Sequence, residues 1–183
     1  MTQQIQKLST EYHIDNKDRL IYVDKNWDEF ADSNEAPELV GDAVLYQPIW
    51  DFISGREVLY IYRLLLQEVR QSGKAMEIPY RCDAPDARRF LLMTISAVGE
   101  EIWFCNWLLR EEKREPVPLL SLGQKRSDDF LIMCSWCNRV KQEASTWVEV
   151  EQAIQAMGLF AADELPQLSH GMCPDCFQLE LLG

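Results

Sequence analysis

Apolar and polar positions follow two periods along this chain, and the change from one to the other marks out its elements. Tyr12-His13-Ile14 and Leu20-Ile21-Tyr22-Val23 flank the turn-rich stretch Asp15-Asn16-Lys17-Asp18, which predicts a hairpin. Asn26 is placed to cap a short helix carrying Trp27, Phe30 and Ala31, and a polar connection follows through Pro37 and Gly41. Helical structure is expected to resume around Trp50-Asp51-Phe52-Ile53. Ser54-Gly55-Arg56-Glu57 then reads as a capping box, after which Val58, Ile61, Tyr62, Leu65 and Val69 line one face up to Gly73, the expected C-cap. Met76, Ile78 and Tyr80 alternate with polar or small residues, and the stretches 90–95 and 102–109 are apolar and rich in strand formers. Three strands here complete a five-stranded antiparallel sheet with covering helices, an α+β architecture.

The pattern breaks at Pro116-Val117-Pro118, because proline resists both helix continuation and central-strand pairing. Three segments follow from this: a domain at 1–115, a linker at 116–129 that includes the polar run from Gly123 to Asp129, and a small module at 130–183. In that module, Thr146-Trp147-Val148-Glu149 reads as a capping box for a helix carrying Trp147, Val150, Ile154 and Met157 and ending at Gly158. No alternating strand–helix–strand pattern is expected after residue 116.

The module's candidate chemistry lies in two CxxC pairs, Cys134-Ser135-Trp136-Cys137 and Cys173-Pro174-Asp175-Cys176. Each CxxC turn can aim two thiolates at one point, and two such turns complete the tetrahedral sulfur shell that Zn²⁺ prefers. The expected cofactor is a structural zinc ion on these four residues. Redox thiols, disulfides and an iron–sulfur cluster remain open alternatives, since the spacing alone does not exclude them. His170, three residues before Cys173, has two readings, as a substitute for one thiolate or as a residue outside a complete Cys₄ shell. The second is favoured, because the turns already supply four ligands. Gly171 and Pro174 fit a tight turn, with Gly allowing unusual backbone angles and Pro fixing one.

The 183 residues are 47% hydrophobic and 10% aromatic, ample for a packed core. No apolar run approaches the roughly twenty residues that span a bilayer, so no membrane insertion is expected. The first residues, Met1-Thr-Gln-Gln-Ile-Gln-Lys7, lack an apolar signal core, and a cytoplasmic location is expected. Thirty acidic against eighteen basic side chains give a formal charge of −12, which repels nucleic-acid phosphates. No nucleic-acid partner is expected. The chain also shows two histidines, no Gly-rich phosphate loop and no Gly-x-Ser-x-Gly elbow, and a closed Cys₄ shell leaves zinc no open position. It is therefore expected not to be an enzyme.

The element order, with Asp24-Lys-Asn-Trp27-Asp-Glu-Phe30-Ala31 after the second strand and Trp50-Asp-Phe52-Ile53 before the long helix, resembles a PAS domain over about residues 10 to 112. The run Cys134-Ser-Trp-Cys137-Asn-Arg-Val140, then Trp147-Val-Glu-Val-Glu151, then Ser169-His-Gly-Met-Cys-Pro-Asp-Cys176, is similar to a cysteine-rich extension found beside bacterial sensory and two-component domains. The resemblance implies a bacterial sensor or interaction module whose sheet and helices enclose a pocket; it does not name the ligand. The Asn-Cys-Arg-Phe type motif of the flavin-binding light sensors is missing. The helix-borne histidine that haem-binding members use is missing too, since His13 falls on the first predicted strand. Cys82 and Cys105 read as small packing residues. Arg81, Arg88 and Arg89 around Asp83 and Asp86 read as a solvated turn with local ion pairs.

The functional expectation is a signal-transduction protein that senses a small molecule and acts through a protein partner in trans. One alternative is a docking or assembly module without ligand, whose sheet face or long helix pairs with another copy as a dimer. Another is a redox switch in which oxidation of the zinc thiolates releases the metal.

Overall fold

The computed structural model describes residues 7–33, 36–121, 123–143, 145–159 and 164–182. It is mixed α+β, with a five-stranded antiparallel sheet and a second sheet of four strands. The hairpin forms as expected: β1 (Lys7–Ile14) pairs antiparallel with β2 (Leu20–Val23). The carboxylate of Asp15 holds the turn, accepting the backbone N–H groups of Lys17 at 2.8 Å and Arg19 at 2.9 Å. Asp18 takes the left-handed conformation there, at φ 61°.

Helix α1 (Lys25–Ser33) begins two residues earlier than expected, and its cap is Asp24, not Asn26. Asp24 Oδ1 accepts the N–H of Trp27, while the Asn26 amide donates to the other oxygen of the same carboxylate. Two short 3₁₀ turns and α2 (Gly41–Val44) lead to α3 (Arg56–Ser72), the longest helix, whose end is marked by Gly73 at φ 68°. Three long strands follow: β3 (Met76–Arg81), β4 (Ala87–Val98) and β5 (Glu101–Lys113). The sheet order is β2-β1-β5-β4-β3. Along β4, Leu91, Met93 and Ile95 are buried and their neighbours are not, which is the alternation of a sheet covered on one face.

By contacts the chain divides into two compact units. The first takes Met1–Ser54, Leu59–Pro79 and Leu91–Arg110. Its core is filled by Ile14, Leu20, Val44, Ile61, Leu66, Val69, Ile95, Ile102 and Phe104, each at most 1% exposed. On α3 the Tyr62 hydroxyl donates to the sulfur of Met93 on β4. Phe104 stacks on Tyr12, with centroids 4.6 Å apart and planes 11° from parallel. Phe104→Ala is expected to cost about 3–5 kcal/mol, because the side chain's volume cannot be refilled by neighbours on a hydrogen-bonded sheet. Urea denaturation would read this as a lower midpoint at unchanged slope.

The second unit takes Gly55–Val58, Tyr80–Phe90 and Glu111–Gly183. Strand β6 (Arg126–Cys134) is central in the sheet β8-β7-β6-β9, with β7 at Val140–Glu143, β8 at Thr146–Val148 and β9 at Leu165–Gly171. β6 and β9 run parallel, a pairing that needs a crossover, and here the crossover contains β7, β8 and α4 (Val150–Ala156). The expectation of no strand–helix–strand unit after residue 116 is thus corrected. So is the helix start: Thr146–Val148 is a strand, and the capping box is formed three residues later by Glu149 and Gln152. The segment expected as a linker is packed: Val117 and Leu119 are buried with Leu131, Met133, Val140, Val150 and Ile154, and β6 already begins at Arg126.

The charge cluster also differs from the solvated turn expected of it. The Asp83 carboxylate is fully buried and accepts from Arg81 at 2.5 Å and Arg114 at 3.2 Å, two guanidinium groups only 10% and 9% exposed. Arg81 also donates to both oxygens of Glu149, the capping residue of α4, at 2.8 and 3.0 Å. Arg114 and Arg88 converge on Glu151 in the first turn of the same helix. The network pins the helix N-terminus, where carboxylates are favoured by the helix dipole, to the 80–90 segment.

Candidate metal centre

The parallel pairing of β6 with β9 explains how two distant CxxC pairs meet. Parallel neighbours end on the same side of a sheet, and their register sets Cys134, the last residue of β6, opposite Gly171, the last of β9. Each strand then runs directly into its own turn. After β6 the backbone folds back, with Cys134 N–H donating to Arg139 O at 2.7 Å and Asn138 N–H to Cys134 O at 3.0 Å. Asn138 supplies the left-handed residue of this turn at φ 56°. The role expected for Gly171 is corrected accordingly: it is not among the positive-φ glycines, and a Cβ there would come within 3.1 Å of Ile132 Cγ2, so that side chain would have to give by a few tenths of an ångström. Gly171 O also accepts the N–H of Ser135, tying the end of β9 to the first turn.

After β9, Cys173 leads into α5 (Pro174–Leu182). Pro174 occupies the first helical position, where its missing N–H costs nothing. Cys173 acts as the cap: its carbonyl accepts Phe177 N–H at 3.0 Å, and its sulfur accepts Cys176 N–H at 3.4 Å. A second amide is aimed at sulfur, from Cys173 N–H to Cys134 Sγ at 3.4 Å.

These turns bring the sulfurs of Cys134, Cys137, Cys173 and Cys176 within 4.8 Å of one another. Cys134 and Cys173 are fully buried, Cys176 is nearly so, and Cys137 is half-buried. All four are free thiols, and the Cys137–Cys173 separation of 3.7 Å is far longer than a disulfide bond. A tetrahedron with Zn–S bonds of about 2.3 Å has edges of about 3.8 Å, so the sulfur spacing fits a tetrahedral divalent cation. Crowding sets the thiols against one another. Hydrogen bonding to Cys134 and Cys176 holds Cys137 far below the ordinary thiol value. Burial pushes Cys173 up to about 11, and hydrogen bonding to Cys134 and Cys137 raises Cys176. A cation taken up here displaces protons from the raised thiols.

Sequence reasoning named these four residues but assigned nothing to Arg139. Its Nε donates to Cys137 Sγ at 3.2 Å, and its Nη2 to Cys173 Sγ at 3.5 Å and to Asp175 Oδ2 at 2.8 Å. The available signal was a cation two positions beyond a CxxC pair, which spacing alone cannot distinguish from a surface charge. Trp136, between the first two cysteines, is buried, and its carbonyl accepts Arg81 N–H at 2.7 Å. His170 is exposed on β9 opposite Met133 and lies outside the sulfur cluster. His13 is buried on β1, stacked on Trp103 at 4.1 Å and hydrogen-bonded to Glu11. Cys82 and Cys105 stand apart from the cluster, and burial raises both thiols, Cys105 to about 11. Among the described residues, no helix is long and apolar enough to cross a membrane. Compared with protein-family models and with curated proteins, the chain matches none.

Proposed function

We propose that this chain is a non-catalytic, PAS-like sensor or signal-transduction protein whose second unit is locked by a structural zinc ion on Cys134, Cys137, Cys173 and Cys176. It passes its signal to a protein partner in trans. The observation that carries the metal half of this reading is the convergence of four free, largely buried sulfurs within 4.8 Å from the ends of two parallel strands. Zinc, when bound, supplies a cross-link between the two turns and no open coordination position for chemistry. The sensor half draws on the element order of two strands, short helices, one long helix and three strands in a single antiparallel sheet. Native mass spectrometry of the gently purified chain tests it: a small molecule retained in stoichiometric amount supports sensing, and a ligand-free chain that takes up no compound from a metabolite extract contradicts it.

A docking reading has its own observation. Tyr22, Tyr46 and Tyr60 are 42%, 68% and 53% exposed in the first unit, and tyrosine carries much of the energy at protein interfaces. A ligand-free chain that dimerises with concentration, and whose dimer is lost in Tyr46→Ser or Tyr60→Ser, supports that reading over sensing.

A further inference from the structure

We infer that Arg139 is a positioning residue for the metal centre, its guanidinium holding the sulfurs of Cys137 and Cys173 side by side while Asp175 orients it. This rests on the zinc reading above. The backbone of Arg139 is fixed by the first turn itself, since its carbonyl accepts Cys134 N–H at 2.7 Å. Its side chain then reaches one sulfur from each CxxC pair, at 3.2 and 3.5 Å, joining two turns thirty-six positions apart in sequence. The planar fork of arginine can serve both sulfurs at once, whereas a lysine ammonium offers a point charge. Four thiolates around a divalent cation leave excess negative charge, and charge-assisted N–H···S contacts offset part of it. The ion pair with Asp175 adds orientation more than energy, because that carboxylate is 68% exposed and water screens it.

The test uses the full zinc-loaded chain, as wild type, Arg139→Gln and Arg139→Lys. Zinc dissociation constants come from competition with a chromophoric chelator, and absorption spectra are taken after substitution by cobalt. Arg139→Gln is expected to bind zinc about 10–100-fold more weakly, the usual cost of losing a partner of a metal ligand. Its sulfur-to-cobalt charge-transfer band is expected at lower energy, since the lost N–H donors no longer stabilise the sulfur lone pairs. Arg139→Lys, which keeps the charge without the fork, should fall between the two in both measurements, and it carries the test if the Gln variant does not fold. Equal affinity and an unmoved band in the variants would overturn the inference while leaving the zinc reading intact. A wild-type chain that takes up no zinc would overturn the zinc reading itself.

Discussion

A Cys173→Ser variant is expected to lose its zinc and, with it, the packed state of the second unit. Cys173 sits where three dependencies meet: its sulfur belongs to the metal cluster, the same sulfur caps α5, and its amide is aimed at Cys134. Free energy of zinc binding at a site of this kind is largely folding free energy, on the order of ten kcal/mol. That exceeds what the modest apolar cluster around Leu119, Met133 and Val140 can supply without it. Hydrogen exchange should show the amides of β6 and β9 losing protection, and Trp136 fluorescence should shift toward that of water-exposed indole. Cys82→Ser is the control, since Cys82 stands outside the cluster and its replacement leaves zinc content unchanged.

An Asp83→Ala variant is expected to destabilise the chain by about 3–5 kcal/mol, the cost of leaving buried cations without their partner. The Asp83 side chain is fully buried between Arg81 and Arg114, so water cannot replace it. Glu111→Ala, which removes a partly exposed pair with Arg89, is expected to cost no more than about 1 kcal/mol. Urea unfolding of the two variants separates these cases, and equal midpoints would show that the buried network contributes nothing of its own.

Local signals in the chain carried most of the first unit. The Asp15–Asp18 turn, the apolar stripe of α3 ending at Gly73 and the strand-forming stretch 90–95 within β4 each follow from short-range rules, and each forms as read. What escaped reading depends on contacts distant in sequence. Val117 lies between two prolines that signal a tether and Leu119 directly follows them, yet both are core residues because β6 and α4 pack on them. The arginines near Asp83 look solvated until Glu149 and Glu151 arrive from more than sixty positions away. Thr146–Val148 has both capping-box letters and strand-forming residues, and pairing with β7 decides for the strand. The same limit applies at the metal centre: spacing named four cysteines, but the parallel register of β6 and β9 that brings them together, and the reach of Arg139, are tertiary.

The most direct measurement is the metal content of the chain purified without added metal, by elemental analysis alongside its visible spectrum. One zinc per chain, with no visible absorption and with loss of that zinc in Cys173→Ser, is the predicted result. Iron with a sulfur charge-transfer spectrum, or a metal-free chain with disulfide-linked CxxC pairs, would contradict it.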